Sequence, residues 1–360
     1  MTRRGPVPVS CGMSDRGPSR PDADAGRPGP VLLRPSFVRR LWGGDALPAW
    51  LGEAPPPGDE PVAEAWLAHG GSEIATGPWA GRTVAEWIRR HGADVIGSAS
   101  LARYGPTMPL LAKFLDAADD LSVQVHPDDA AAAERHPGSG HLGKTESWRI
   151  VHAAPGARVV WGVREAVSAE RLRRAAEDGT IGALLRTVPV ATGQVVHNPA
   201  GTIHAVGAGL LLYELQQASD LTYRLWDHGR VGADGAPRPL HLDAALAVAD
   251  RSGAGDGIVP ARPSAGGWTV RVDCPFYRME ERRLRTADGP VPCTTGAAVT
   301  GEADLHLITV IEGRIVLTAD FGRASLDLAE GATALVPAAT GRYRLEGSGT
   351  ALRGRTAPAG

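Results

Sequence analysis

Polar and ionisable residues recur at a spacing of two in the segment LSVQVHPDD, residues 121–129. In a β-strand this spacing places Ser122, Gln124 and His126 on one face and the apolar residues on the other. Pro127 ends the run, since proline cannot donate a hydrogen bond to a sheet. The pattern therefore predicts a strand that carries a hydroxyl, an amide and an imidazole side by side.

The same spacing recurs in three later segments. GKTESW places Lys144 and Glu146 on one face, and NPAGTIHAV contributes His204. YELQQASDLTYR contributes Glu214 and, after a turn, Arg224. Imidazoles, carboxylates, amides and cations gathered in this way are the groups that bind metal ions and move protons.

Four of these residues form a candidate metal-binding set, Gln124, His126, Glu146 and His204. One face of every strand in an antiparallel barrel points to the interior, so the four side chains can converge on one cation there. Two imidazoles, a carboxylate and an amide oxygen suit zinc or a neighbouring divalent metal. The alternative is a polar-lined barrel in which the histidines only form hydrogen bonds.

Lysine is rare in this chain, because only Lys113 and Lys144 among the 38 basic residues are lysines. On a solvated surface arginine serves as well as lysine, so most exposed cationic positions can carry arginine. A lysine ammonium is compact and can lose its proton when buried, whereas a guanidinium is wide and stays charged. We predict that both lysines have functions that arginine cannot supply; the alternative is chance survival.

Composition argues against several classes of function. The chain has 360 residues, 22% of them charged, and a net charge of -2, which gives no electrostatic basis for binding nucleic acid or an anionic membrane. No apolar run approaches the ~20 residues of a membrane span. The cysteines Cys11, Cys274 and Cys293 are too scattered for a disulfide framework or a thiolate metal site. We therefore expect a cytoplasmic protein.

Short alternating or β-branched segments separated by glycine and proline fill most of the chain, which is typical of antiparallel sheet in a sandwich or barrel. We expect a mainly β fold with two domains. The predicted divisions are a disordered tail at 1–30, a catalytic domain at 31–251 with a helical insertion near 166–187, a linker at 252–267 and a C-terminal β domain at 268–360.

Local signals predict helices and turns within this framework. Thr83 and Glu86 form a capping box for a helix that ends at Gly92, and 241–253 is a further helix. In the C-terminal domain, LHLITVIEGRIVLTAD predicts two strands joined by a Glu-Gly turn, with a single histidine, His306. Because no cluster of metal-binding residues accompanies it, we assign this domain a structural role.

Longer motifs resemble a known family. LLAKFLDAADDLSVQVHPDD, GKTESW, NPAGTIHAVGAGLLLYELQQASDLTYRLWDHGR and the early LWGG resemble the type I phosphomannose isomerases, zinc enzymes of the cupin superfamily. The resemblance runs from about residue 31 to residue 350 and is looser in the C-terminal third. It implies two cupin-type (jelly-roll) β-barrel domains, of which the second is metal-free.

The resemblance also implies roles for individual residues, with one Zn²⁺ ion per chain. The implied residues are Gln124, His126, Glu146 and His204 as zinc ligands, Arg224, Lys113 and Lys144 as active-site cations, Glu214 and Asp220 as carboxylates debated as the proton-transferring base, and Ser122 and Arg230 at positions associated with the substrate phosphate. Two departures bear on the shape of the pocket. Ser147 stands where the family usually has Met or Ala, and His197-Asn198 replaces the usual residues before Pro-Ala-Gly-Thr.

These residues fit an aldose–ketose isomerase that interconverts mannose 6-phosphate and fructose 6-phosphate. The reaction moves a proton between C1 and C2 through an enediolate, so it needs a base and a Lewis acid. The alternatives are a cupin oxygenase holding iron, which the glutamine and the lysines fit poorly, and a non-catalytic or differently specific sugar-binding cupin. The expected partner is a phosphosugar substrate, with no nucleic acid and no membrane. The sequence does not set the oligomeric state, and a monomer is compatible with it.

Overall fold

The computed structural model describes residues 28–231, 235–296, 303–320 and 325–357. Of the predicted disordered tail, residues 1–27, with Cys11, lie outside the described residues. Pro28 and Pro30 are buried, so the folded part begins before the predicted boundary.

The β-strands, in chain order, are β1 (Val31–Leu33), β2 (Ser36–Arg39), β3 (Val62–Ala68), β4 (Leu110–Ala117), β5 (Val123–Val125), β6 (Glu146–Ala153), β7 (Arg158–Val163), β8 (Leu185–Pro189), β9 (Val195–Asn198), β10 (His204–Val206), β11 (Leu210–Gln217), β12 (Tyr223–Trp226), β13 (Arg262–Pro263), β14 (Thr269–Asp273), β15 (Tyr277–Leu284), β16 (Val291–Thr294), β17 (His306–Ala319), β18 (Ser325–Ala329), β19 (Thr333–Val336) and β20 (Arg342–Thr356). The α-helices are α1 (Ala46–Leu51), α2 (Val84–His91), α3 (Ala93–Ile96), α4 (Ser98–Tyr104), α5 (Asp129–Arg135), α6 (Ala169–Glu177) and α7 (Leu242–Val248).

The predicted capping box begins α2. Thr83 Oγ1 accepts a hydrogen bond from the N–H of Glu86 at 3.2 Å, and a carboxylate oxygen of Glu86 accepts one from the N–H of Thr83 at 2.8 Å. Gly92, at φ 49°, ends this helix as predicted. The sequence patterns do not indicate α1, α3 and α4, because Pro48 and Gly97 interrupt them. None of the helices in the described ranges has the length and apolar character needed to cross a membrane.

Two antiparallel sheets face each other in the part of the chain that carries the candidate site. One has the strand order β2-β3-β4-β11-β6-β9, and the other has the order β12-β5-β10-β7-β8. The prediction of a mainly β, antiparallel fold is therefore confirmed. Backbone hydrogen bonds between the described strands do not close either sheet into a continuous barrel.

Helices cover the outer face of the five-stranded sheet. Val123 and Val125 of β5 pack in one apolar cluster with Leu172 of α6 and Leu246 of α7. This buries one strand face beneath helices and leaves the opposite face for the interior. Leu121 departs from the predicted alternation, because β5 begins only at Val123 and Leu121 lines the interior instead.

The C-terminal part of the chain builds a nine-stranded sheet, in which β1-β19-β17-β20-β15-β14-β13 are neighbours and β16 and β18 attach to its two longest strands. β1 pairs with β19, so the first strand of the described residues belongs to the C-terminal sheet. The predicted linker at 252–267 contains β13 and forms a bridge from Ile258 to Val196. The two parts are thus joined by strand pairing, and the division into domains stays a prediction.

The predicted Glu-Gly hairpin in this sheet is wrong. β17 continues through Glu312 and Gly313 as one strand, and β20 pairs with it along this length. Gly313 lies opposite Gly349, and a Cβ at Gly313 would clash with the carbonyl oxygen of Ser348. The facing glycines therefore let the two long strands approach closely just beyond a bulge between Val310 and Glu312, and neither strand reverses there.

Candidate active site

Two rows of polar side chains face each other between the sheets. In the five-stranded sheet, Arg224 of β12 and His204 of β10 both pair with Gln124 of β5. In the six-stranded sheet, Glu214 of β11 pairs with Lys113 of β4. The sheets enclose a cavity of about 250 Å³ between these rows. The spacing of two in the sequence is thus the spacing that turns these side chains inward.

Three of the four predicted ligands form a compact cluster. One donor atom from each of His126, Glu146 and His204 lies within 4.8 Å of the others. The Nε2 atom of His126 is 3.3 Å from Oε2 of Glu146, and Nε2 of His204 is 3.3 Å from Oε1 of the same carboxylate. All three side chains are only 1% exposed. Two imidazoles and a carboxylate held this close, away from water, suit a divalent metal.

Backbone carbonyls orient both imidazoles. The Nδ1 atom of His126 lies 2.7 Å from the Leu221 oxygen, and Nδ1 of His204 lies 2.8 Å from the Thr202 oxygen. A carbonyl can only accept, so each Nδ1 carries the proton, and each Nε2 presents a lone pair toward Glu146. Hydrogen bonds of this kind fix the rings of metal-binding histidines.

The protonation states of the cluster also suit a metal ion. Burial and the charge of Lys144 lower the pKa of His126 to about 3, and burial lowers the pKa of His204. Burial alone would raise the pKa of Glu146, but the neighbouring ammonium of Lys144 holds it well below its usual range. Neutral imidazoles and an ionised carboxylate are the forms that bind metal.

Gln124 lies beside this cluster and presents its amide nitrogen to it. Its Nε2 atom is 3.3 Å from Nε2 of His204, while its Oε1 accepts a hydrogen bond from Ser122 at 3.5 Å. Turning the amide by half a turn exchanges oxygen and nitrogen with little change of shape. The position of Gln124 therefore matches the predicted ligand, and the orientation of its amide does not.

Both lysines reach the cavity, where each contacts Glu214. The Nζ atom of Lys144 is 2.9 Å from Oε2 of Glu146, 3.1 Å from Nε2 of His126 and 3.9 Å from Oε1 of Glu214. The Nζ atom of Lys113 is 3.5 Å from the same oxygen of Glu214. The Lys144 ammonium thus lies against the atoms that would bind a metal ion.

Glu214 is a buried carboxyl whose pKa lies near neutral pH. Burial and the charge of Glu146 raise its pKa to about 7, against the opposing effect of Lys113 and Lys144. The residue is 2% exposed, and it lines the cavity. A carboxyl with this pKa can both accept and return a proton near neutral pH.

Three of the remaining predicted residues line the cavity, and one does not. Ser122 is buried in its wall, Arg224 is half-buried, and Asp220 is exposed. Arg230 is not among the residues that line the cavity, and its contact with a phosphate stays a prediction. Its guanidinium donates to the Asp120 carbonyl at 2.6 Å and to Asp227 at 2.7 Å, so these partners hold it elsewhere.

Three charged residues that the sequence patterns do not indicate line the same cavity, Arg40, Glu64 and Arg238. Glu64 Oε2 is 3.1 Å from Nζ of Lys113. Glu64 is the single charged residue in the apolar run PVAEAWLA, and this pattern could have indicated it. Arg238 lies in a loop and donates to Asp227 at 2.6 Å. A residue in a loop belongs to no periodic pattern, so the sequence does not indicate this arginine.

The two departures from the family pattern contact each other. The Ser147 hydroxyl lies 2.8 Å from Nδ1 of His197 and 2.6 Å from the hydroxyl of Tyr277 in β15. Ser147 follows Glu146 by one residue in β6, so it points to the opposite face of the strand. Ser147 and His197 therefore do not line the cavity, and Ser147 joins the two parts of the chain through its hydrogen bond with Tyr277.

A close backbone approach requires glycine immediately before Lys144. A Cβ at Gly143 would lie 2.5 Å from backbone atoms of both Asp128 and Asp129. We expect Gly143→Ala to force this loop apart, to displace Lys144 and to lower the free energy of unfolding by about 1–3 kcal/mol. Denaturant unfolding measures this change. Gly182→Ala, where a Cβ meets open space, is the matched control; equal stability of the two variants would contradict this account.

Known proteins of one family resemble this chain over most of its length. Residues 31–146 match the family model described as phosphomannose isomerase type I, catalytic domain. The chain is 33% identical over 332 residues to mannose-6-phosphate isomerase ManA of Bacillus subtilis. The aligned segment covers 88% of this chain and 96% of the relative.

Solved structures share the fold. The crystal structure of mannose 6-phosphate isomerase from Bacillus subtilis superposes with a TM-score of 0.78 at 29% identity, covering 91% of this chain and 99% of that one. A zinc-bound structure of a mannose 6-phosphate isomerase superposes with a TM-score of 0.71, covering 92% of this chain and 100% of that one. At 18% identity this second likeness concerns the fold alone.

Proposed function

The chain belongs to the type I phosphomannose isomerase family, and from this premise we propose that it interconverts mannose 6-phosphate and fructose 6-phosphate with one bound zinc ion. One observation carries the proposal. Glu146, Glu214 and both lysines line one cavity, and the two buried imidazoles adjoin it through Glu146. This arrangement places metal-binding groups, a candidate base and two cations within reach of a single small substrate.

The donor set at this cavity fits zinc. His126 and His204 offer oriented, neutral nitrogens, Glu146 offers an ionised carboxylate, and Gln124 offers an amide oxygen once its amide turns. Bound there, zinc would supply a Lewis acid for the negative charge that develops during isomerisation.

We assign the proton transfer to Glu214. The base takes a proton from one substrate carbon and returns it to the neighbouring carbon, so it needs a pKa near the working pH. Glu214 is buried beside both lysines, whereas the other candidate, Asp220, is exposed. Lys113 and Lys144 would donate hydrogen bonds to the substrate oxygens while the negative charge develops.

We assign the substrate phosphate to the side of the cavity that carries Ser122 and Arg224. A guanidinium can donate two parallel hydrogen bonds to a phosphate, and a hydroxyl can donate one more. Arg238 lines the same cavity and adds a second guanidinium. Arg230 is then a positioning residue, because it shares the carboxylate of Asp227 with Arg238.

Two other functions remain as alternatives. Two histidines and one carboxylate also match the iron site of many oxygenases. The two cavity lysines and membership of the family favour the isomerase, and metal analysis of the purified chain distinguishes the two enzymes. A non-catalytic sugar-binding cupin would have no need of Glu214 held between two lysines, and an absence of turnover would identify it.

The location also stays a proposal. Cys274 and Cys293 are free thiols, and Cys274 lies at the edge of the apolar core shared by the two parts of the chain. Free thiols persist in a reducing compartment, which supports a cytoplasmic enzyme.

Lys144→Arg is expected to reduce turnover by about 100-fold while bound zinc stays unchanged. The ammonium fits within 3.1 Å of His126 and 2.9 Å of Glu146, where a wide, planar guanidinium would displace substrate or turn away. Loss of one well-placed donor typically costs about 3 kcal/mol of transition-state stabilisation. Steady-state kinetics and metal analysis on one preparation measure both quantities.

A reverse exchange provides the control for this variant. Arg174→Lys on α6 changes an exposed residue, 65% of whose side chain is accessible, and should leave turnover unchanged. Parental turnover in Lys144→Arg would mean that the rarity of lysine is accidental and that Lys144 is not catalytic.

A coupled assay tests the proposed activity. The zinc-loaded chain is supplied with mannose 6-phosphate, and formation of fructose 6-phosphate is followed by an enzyme that consumes only the ketose. We expect turnover that requires the 6-phosphate, so that free mannose reacts far more slowly. Failure to convert mannose 6-phosphate would overturn the proposed function.

A further inference from the structure

A second and larger cavity, of about 630 Å³, lies in the C-terminal sheet, and the proposed isomerase reaction does not use it. Arg278 of β15 pairs with Arg355 of β20, and Glu280 pairs with Arg353 two residues further along these strands. The spacing of two directs these four side chains to one face, and all four line the cavity. His306, the first residue of β17, lines it as well.

Three arginines share one buried carboxylate in this cavity. Oxygens of Glu280 lie 2.7 Å from Arg353, 3.4 Å from Arg278 and 3.5 Å from Arg355. Glu280 is 2% exposed, so these charges are largely removed from water. One carboxylate cannot balance three guanidiniums, and burying an unbalanced charge is destabilising. Apolar side chains would fill a purely structural interior with less loss of stability.

Asp273 offsets part of this positive charge, since it lies 3.9 Å from Arg278, but 41% of its side chain is exposed. The other carboxyls near the cavity do not remove the remaining excess. Asp320 pairs with a different arginine, Arg344, at 3.3 Å. Asp304 accepts a hydrogen bond from Thr356 at 2.6 Å. Burial raises the pKa of Asp304 to about 7, so this carboxyl is largely protonated below neutral pH.

Aromatic residues hold two of the polar groups in place. The guanidinium of Arg353 lies over the ring of Trp268, 4.1 Å from its centroid, and Trp268 is buried. The hydroxyl of Tyr343 lies 2.7 Å from Nδ1 of His306, which leaves Nε2 as the second hydrogen-bonding atom of that ring. A preorganised cation and imidazole lose little freedom when a ligand binds.

We propose that this cavity is a second ligand site, which takes a small phosphate monoester of about the size of a sugar phosphate. A dianion balances the excess positive charge, and guanidinium forks match the oxygens of a phosphate. The cavity volume falls within the range of small-molecule pockets, about 300–1,000 Å³. This second site is separate from the proposed isomerase site, because none of its residues named above lines the catalytic cavity.

Equilibrium dialysis with radiolabelled inorganic phosphate tests the proposal on the zinc-loaded full chain. Every sample in this experiment carries Arg224→Gln, which weakens phosphate binding at the catalytic cavity. The phosphate binding that remains is then binding at the second site. We expect saturable binding, which Arg278→Gln weakens about tenfold or more, since a charge-assisted hydrogen bond contributes at least that factor.

Arg283→Gln on the same strand is the matched control, because 69% of that side chain is exposed. It should leave phosphate binding unchanged, and Arg278→Gln alone should retain the parental turnover within about twofold, since Arg278 does not line the catalytic cavity. If Arg278→Gln fails to fold, Arg278→Lys is measured, with weaker binding again expected because lysine lacks the fork. Absence of saturable binding in the Arg224→Gln background, or equal affinity in the Arg278 and Arg283 variants, would overturn the proposal.

Discussion

His126→Ala and His204→Ala should each lose bound zinc and isomerase turnover together. Each substitution removes one of two neutral nitrogen donors from a cluster whose donor atoms lie within 4.8 Å of one another. Within the described residues no other histidine lies in this cluster, so nothing replaces the lost donor. Because metal binding and catalysis depend on the same atoms, the two losses should be equal in proportion. Metal analysis and the coupled assay on the same preparation measure them.

His152→Ala is the control for these variants. His152 is an exposed residue of β6, the strand that Glu146 begins, so its loss should change neither zinc content nor turnover. A His126 or His204 variant that keeps its zinc, or that turns over without it, would contradict the assignment of the metal site.

Glu214→Gln is expected to reduce turnover about a thousandfold with little change in zinc content. Glutamine keeps the shape of the side chain but cannot accept the proton, and a positioned general base contributes about 10²–10⁴-fold. Glu214 is buried, its pKa is raised to about 7, and both lysines contact its Oε1. KM should change less than kcat, because the substitution removes a function needed only during the reaction.

Asp220→Asn discriminates between the two candidate bases. Asp220 also lines the cavity, but it is exposed, and we expect its loss to cost less than about tenfold. If Asp220→Asn shows the larger loss of kcat, then the base is Asp220, and Glu214 serves to hold the two lysines.

Strand periodicity predicts the inward-facing residues of this site well. Gln124, His204 and Arg224 lie in one row across three neighbouring strands because a spacing of two fixes the face on which each points. Lys113 and Lys144 are found through their rarity, and both reach the cavity. The predicted alternation is wrong where the strand is short, because Leu121 precedes β5 and its side chain lines the cavity.

Features set by tertiary pairing are not predictable in this way. Arg238 reaches the cavity from a loop, whereas Arg230, which binds the same Asp227 carboxylate, does not line it, although both lie in polar segments. The Glu-Gly pair in β17 signals a turn locally, but both residues pair with β20 and the strand continues through them. Pairing of β1 with β19 joins residues about three hundred positions apart, so no local sequence pattern predicts this pairing.

Titration of zinc into the metal-free chain tests the central claim most directly. Zinc is removed with a chelator, added back in steps, and turnover of mannose 6-phosphate is measured at each step. We expect negligible turnover without metal and a linear rise that saturates at about one zinc per chain, since one cluster of donors holds the ion. Full turnover by the metal-free chain, or a rise that continues well beyond one zinc per chain, would contradict it.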